Sequence, residues 1–376
     1  MHRKKLRILA PSITDLKYFP PSATFLNYLS AQDNTEVVVL SYHSNESSFS
    51  ESVKVRNISK TPYPSIFIDR LIAKVRSYYH FYKYLLKNKR EVDIIFIGIW
   101  DFNFLKQIVK LINFKGIIVY QFHELDLSKL HLCRDADFCL IPEENRLWLT
   151  YFLGNLGKLP LLLPNIPNTQ LGEAAVVPEI INELKRDNKK ILLYQGLVSF
   201  KRRCLAEIIE SLTLSSNELH LIIMPGAKAD PAELGKVNTL ALQLGVSERV
   251  HIIASLPAPM HLEIIRYADI GIGLYRPTSL NQVYAAPNRL YEFSKFGIPQ
   301  ILPDFPMFKA LSVKFPFAVN VVNPESADEI ATALNNLLIE VNYSNGVDMS
   351  NRFFLQNGDY SNLANKVWNE ILKGII

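Results

Sequence analysis

The sequence predicts an α/β protein made of two doubly wound domains, each a mainly parallel sheet with helices on both faces. Three observations predict it. Short apolar runs without polar alternation recur from end to end, the spans between them are long enough for crossover helices, and a proline-rich, strand-poor stretch interrupts the series near the middle. A length of 376 residues corresponds to about two domains of ordinary size.

In the first half LRILA (6–10), EVVVLS (36–41), DIIFIG (93–98), GIIVYQF (116–122), DFCLI (137–141) and LPLLLP (159–164) read as buried strands. The second half repeats the plan with KILLYQG (190–196), LHLIIMPG (219–226), RVHIIAS (249–255), ADIGIGLY (268–275), PQILP (299–303) and FAVNVV (317–322). Helical patterns fall at 202–213, 231–244, 259–267, 289–296 and 326–340. Residues 164–189, with Pro164, Pro167 and Pro178 before a charged stretch, form the linker. The expected domains are therefore 1–167 and 168–357. Tyr360, Leu363, Val367, Ile371 and Leu372 recur at helical spacing, so 358–376 is expected to pack back on the first domain. In such sheets ligands bind at the carboxyl ends of the strands, here in a cleft between the domains.

Composition removes several classes. Hydrophobic residues at 48% and charged residues at 20% exclude a disordered chain. A net charge of +5 is too small and too dispersed to call for nucleic acid. Three cysteines without C-x-x-C spacing support neither a disulfide framework nor a zinc knuckle, and fit a reducing compartment. The apolar run after MHRKK is shorter than the roughly 7–15 residues of a secretory signal, so a cytoplasmic location is expected.

The most informative stretch is ADIGIGLYRPTSLNQVYAAPNRLYEFSKFGIPQI (268–301), read as strand, polar loop, helix, turn and strand. Asn288 is the expected N-cap; Gly297 and Pro299 end the helix. A helix start beyond a strand's carboxyl end offers free N–H groups and positive dipole to a phosphate, with Arg289 adding charge. Glu292 then suits a ribose diol, whose two hydroxyls a carboxylate accepts. In YQGLVSFKRR (194–203) Gly196 allows close backbone approach, and Lys201, Arg202 and Arg203 offer counter-charge to a diphosphate. Asp135-Ala136-Asp137 has the D-x-D spacing of a metal-diphosphate site, but Asp137 leads straight into a strand and the later phosphate sites would go unexplained, so no metal is expected.

These motifs resemble the donor-binding domain of GT-B fold glycosyltransferases, in particular the large, mostly retaining bacterial group related to sucrose synthase. SLN, PNRLYEF and GIP are similar to that group's S-L-N, P-N-K-L-F-E-Y and G-x-P, and YQG followed six residues later by Arg202 is similar to its Y-Q-G and basic residue. IIVYQFHELDL (117–127), PEENR (142–146) and LPNIPN (163–168) extend the resemblance through the first half. It implies two facing Rossmann-like domains and transfer of a sugar, without a cofactor or metal, from a nucleoside-diphosphate sugar, UDP first, to a polysaccharide or lipid-linked acceptor. It also implies that Glu292 holds ribose. Asn288, Arg289 and Leu290 would take the diphosphate, with Gly196, Lys201 and Arg202 around the phosphates. Asn281 of the S-L-N loop would lie on the donor, Leu256 by the base, and His123 at the donor sugar with Glu124 as its companion, Glu124 or Asp126 being a base if the enzyme inverts. Two positions depart from the group. Tyr284 stands where many members have a first glutamate, and PSITDLKYFPPS (11–22) replaces a glycine-rich loop.

Two other readings share this outline: a nucleotide-sugar epimerase of the same fold, and a non-enzymatic two-lobed sugar-binding protein. Finally, in 68–90 Leu71, Val75, Tyr78, Tyr82 and Leu85 recur at helical spacing with Arg76, Lys83, Lys87 and Arg90 on another face. That pattern suits either a sheet-covering helix with a solvated back or peripheral contact with an anionic inner membrane face.

Overall fold

A computed structural model describes residues 5–13, 20–43, 49–98, 105–166, 176–226, 229–256 and 259–375. The middle of the 11–22 loop and Pro167 lie outside them. The chain divides into two compact units, Met1–Pro167 with Tyr360–Ile376, and Asn168–Asp359.

The first unit runs β1 (Leu6–Ser12), α1 (Pro20–Ser30), β2 (Thr35–Ser41), β3 (Val53–Asn57), α2 (Phe67–Asn88), β4 (Ile94–Ile97), α3 (Leu105–Leu111), β5 (Ile117–Gln121), α4 (Leu130–Arg134), β6 (Phe138–Ile141), α5 (Glu144–Gly154) and β7 (Leu161–Leu162). Its seven strands lie parallel in the order β3-β2-β1-β4-β5-β6-β7. Ile8, Val37, Ile94 and Leu140 from one sheet face pack with Phe25 and Leu26 of α1. A C-terminal helix (Tyr360–Lys373) closes the same cluster with Ala364, Val367, Trp368 and Ile371.

The second unit runs α6 (Glu179–Arg186), β8 (Lys190–Gly196), α7 (Leu205–Thr213), β9 (Leu219–Pro225), α8 (Pro231–Gln243), β10 (Val250–Ile252), α9 (His261–Ile265), β11 (Ile270–Ile272), α10 (Leu280–Val283), α11 (Asn288–Lys295), β12 (Gln300–Pro303), α12 (Pro306–Lys314), β13 (Val319–Val322), α13 (Ala327–Leu337) and α14 (Glu340–Asn357); the returning helix is α15. Its six parallel strands follow the order β10-β9-β8-β11-β12-β13. The consecutive apolar residues of β8 are explained by burial on both sides: Leu192 and Tyr194 enter one core cluster, Ile191 and Leu193 the other. The winding reverses between β8 and β11, the kind of place where parallel sheets bind ligands.

Several expectations need correcting. β3 is an added edge strand; Val53 is buried while Lys54 and Arg56 face outward, an alternation that a search for continuous apolar runs passes over. The helix expected from 202 begins at Leu205, leaving Arg202 and Arg203 in the preceding turn. Pro287, with extended backbone, occupies the N-cap of α11, and Asn288 is its first helical residue without a side-chain cap, because proline's fixed φ suits the chain's entry there. The pattern at 326–340 ends at Leu337, and α14 follows with Gly346, Ser350 and Phe353 as its buried residues. In α2 the buried line is Ala73, Ser77, Phe81 and Leu85, so Leu71 and Val75 are exposed instead of packed.

Gly271 of β11 lies flat against Phe293 of α11, and a Cβ there would stand 2.8 Å from the ring. Phe293 is fully buried and has nowhere to move. Gly271→Ala is expected to lower unfolding stability by about 1–3 kcal/mol in urea melts, the usual cost of overpacking a filled core. An unchanged midpoint would show that this contact between strand and helix is loose.

Candidate functional site

The carboxyl ends of β8 and β11 carry a compact set of polar groups. β8 ends in Gln195-Gly196, and Gly196 has φ +117°, a conformation that side chains oppose. Arg289, in the first turn of α11, lies against both strand ends. Its Nη2 is 3.1 Å from where a Cβ on Gly196 would stand, and its Cδ 2.9 Å from one on Gly273. The two glycines make room for one guanidinium.

That guanidinium lies 5.6 Å from the ring centres of both Tyr194 and Tyr275. Arg203 stacks on Tyr275 as well, 4.2 Å from its centre. Two cations thus share one aromatic ring. Burial, with the like charge of Arg289 adding to it, holds the Arg203 guanidinium below its ordinary pKa. Arg289 Nη1 and Arg203 Nε are buried without hydrogen-bond partners, and neither side chain forms an ion pair among the described residues. Two cations so close together, one buried and one half-buried, call for an anion. The amino end of α11 turns the same edge further positive.

Glu292, one turn along α11, is buried at 6% exposure. Gln195 Nε2 donates to its Oε2, and His261 Nε2 at the start of α9 stands 3.2 Å from its Oε1. The carboxylate is held from both sides, beside the arginine pair and not in contact with it.

Of the residues singled out in the sequence, Gly196, Arg289 and Glu292 converge here. Leu290 sits in a core cluster with Tyr275, so only its backbone is open to a ligand. Asn281 and Asn288 are half-buried on α10 and α11, and Leu256 packs partly into the core beyond β10. Lys201 and Arg202 are exposed in the turn before α7. Arg203 is the cation of that run that turns inward. Gln195, Tyr194, Tyr275 and His261 complete the set; Gln195 adjoins Gly196 of the Y-Q-G motif, whereas no pattern in the sequence points to His261.

In the first unit His123 follows β5. Its Nε2 stands 2.8 Å from Ser22 Oγ, which also lies within hydrogen-bond distance of the Gly98 carbonyl and of Gln121 Oε1 and can give its one proton to a single acceptor at a time. A Cβ on Gly98 would collide with Ser22 Oγ at 2.4 Å, so this cluster needs glycine. Burial pushes the imidazole down to about 4, with Arg146 adding to the effect. His123 is therefore neutral at pH 7. Glu124 is exposed. The D-x-D carboxylates have structural duties: Asp135 pairs with Lys106, and Asp137 accepts the N–H of Ile118. Among the described residues no group of three or more potential ligands is placed to hold a metal ion.

No described family profile matches the sequence, and no curated protein matches it as a relative. Solved structures do match. HepE from Anabaena, in complex with UDP and glucose, superposes with TM-score 0.72 at 12% identity, over 98% of this chain and 100% of that one. Sucrose-phosphate synthase from Thermosynechococcus elongatus gives 0.71 at 14% identity, over 98% and 100%. A putative UDP-N-acetylglucosamine 2-epimerase from Listeria monocytogenes gives 0.62 at 11% identity, over 96% and 94%. The fold is accordingly GT-B, two Rossmann-like units in one chain.

The His123 shift has a consequence for stability. The unfolded chain takes up a proton near pH 6.5 that the folded one refuses until about 4, so stability falls as pH drops through that window, by at most about 3 kcal/mol from this group. His220, pushed to about 4 by burial and then by His251, acts in the same window, which makes the difference between wild type and His123→Gln the informative quantity. Urea melts from pH 7 to pH 4 are expected to give a shallower decline for the variant. Parallel curves would mean that His123 is solvated.

Proposed function

We propose that the protein is a glycosyltransferase that moves a sugar from a UDP-linked donor to a saccharide or lipid-linked saccharide acceptor in surface glycan synthesis. One observation carries the reading: two guanidiniums without an ion pair among the described residues, each with an unpartnered buried nitrogen, and a helix amino end meet at the switch point of a parallel sheet, with an oriented carboxylate beside them. A diphosphate with ribose attached matches that arrangement group for group. The likeness to HepE, whose structure holds UDP and glucose, supports the same ligand class.

In the reaction the bond from the sugar's C1 to the terminal phosphate oxygen breaks, and its electron pair leaves with the diphosphate. A bond from C1 to the acceptor oxygen forms, and the hydroxyl proton passes to the departing phosphate if configuration is kept, or to a base if it is inverted. Arg289, Arg203 and the α11 amides stabilise the charge developing on the leaving group. Glu292 fixes the ribose. His123, neutral at working pH, enters as a hydrogen-bonding group, with exposed Glu124 as the alternative base. A cytoplasmic location belongs to the same proposal.

The epimerase reading is favoured by one fact, the shared fold of the Listeria protein. Incubation of a UDP-sugar without acceptor separates the two: an epimerase converts the sugar, whereas a transferase leaves it intact or slowly releases UDP. A mere sugar binder is stabilised by free sugar and not by UDP.

Titration calorimetry with UDP tests the residue assignments. Arg203→Ala and Arg289→Lys are each expected to weaken binding about 10- to 150-fold, the worth of a charge-assisted hydrogen bond of roughly 1.5–3 kcal/mol. Arg202→Ala, at an exposed position, is expected to cost less than about threefold. Wild-type affinity in both inward variants would remove the proposed phosphate site.

A further inference from the structure

The helix α2 presents an apolar face to solvent. Phe67, Ile68, Leu71, Ile72, Val75 and Tyr79 are between 55% and 77% exposed, and they recur at spacings of three and four along one side. The opposite side is anchored by Ala73, Ser77, Phe81 and Leu85. Large contiguous apolar patches are rare on monomeric soluble domains, and a patch of this kind marks a surface that something covers.

Charge says what covers it. Residues 66–90 hold seven lysines and arginines against one carboxylate, a net +6, while the whole chain is +5, so everything outside this segment is net −1. The basic character of the protein is concentrated on one helix and its end. Arg70, Lys74, Arg76, Lys83 and Lys87 form no ion pair among the described residues. The charges of Arg76 and Lys83, after burial, hold His80 below its ordinary value, as expected of an uncompensated positive field.

We propose that this face of α2 docks on an anionic lipid bilayer, with the helix lying along the surface. The apolar side chains enter the boundary between headgroups and acyl chains, while the flanking lysines and arginines extend to lipid phosphates. A helix of 22 residues lays about 33 Å of contact on the membrane. No described helix is long and apolar enough to cross a bilayer, so the contact is parallel to it. A second copy of the chain is a poorer occupant, because pairing two such faces brings two sets of cations together. The inference is independent of the nucleotide site, whose residues lie in the other unit.

The test is co-sedimentation of the full chain, without nucleotide, with phosphatidylcholine vesicles containing about 30 mol% phosphatidylglycerol, against phosphatidylcholine alone, at low and high salt. Wild type is expected to sediment with the anionic vesicles and to be released by salt. Ile68→Ser with Ile72→Ser and Val75→Ser, and separately Arg76→Glu with Lys83→Glu and Lys87→Glu, are each expected to lower partitioning at least tenfold. These are surface positions, so circular dichroism and UDP affinity are expected to stay at wild-type values. The proposal is overturned if wild type stays in the supernatant at low salt, or if the charge-reversed variant binds the anionic vesicles as wild type does. It is equally overturned if the serine variant abolishes a wild-type dimer, which would make the occupant a second copy.

Discussion

The site depends on an electrostatic debt at one sheet edge. Arg289, buried, and Arg203, half-buried, lie over the same tyrosine ring, each with a buried donor nitrogen that has no partner and neither in an ion pair among the described residues. A protein that leaves two guanidiniums in that condition is less stable than one with a counterion in place. The rest of the second unit is arranged around them: Gly196 and Gly273 clear the space, Pro287 sets the angle at which α11 begins, and Gln195 with His261 holds the Glu292 carboxylate beside the pair. An arriving diphosphate resolves the imbalance, which is why binding and leaving-group stabilisation fall to the same atoms.

The first unit treats its candidate group in the opposite way. Ser22, itself held by Gln121, meets the His123 ring, and burial, with the charge of Arg146 adding to it, keeps the proton off. One unit therefore stores positive charge without a partner, while the other stores a neutral imidazole. Both devices sit beyond the carboxyl ends of parallel strands, on chain segments that leave the sheet near its centre.

Much of this was legible in the residues. Continuous apolar runs betrayed twelve of the strands because parallel strands are covered on both faces, and the proline and glycine around α11 marked its limits. What escaped had no such signature. β3 is a half-exposed edge strand, α14 packs through a glycine and a serine where Gly346 closely approaches Pro299, and neither produces an apolar period. Which of three adjacent cations faces inward is decided by where the turn ends and α7 begins, at Leu205 after its cap Cys204, whereas sequence spacing pointed to Arg202, one residue before the inward Arg203. In α2 the periodic stripe was visible, but periodicity cannot say which side of a helix is covered; here Ala73, Ser77, Phe81 and Leu85 are buried, and Phe67, Ile68, Leu71, Ile72 and Val75 are left out.

The account is tested most directly by removing phosphates from the ligand and leaving the protein alone. Calorimetry with UDP, UMP and uridine on the wild-type chain is expected to show affinity falling by at least about tenfold at each step, with a salt dependence that disappears for uridine. Equal affinities for the three would mean that the arginine pair meets no phosphate, and that the anion site at the end of β8 and β11 does not exist.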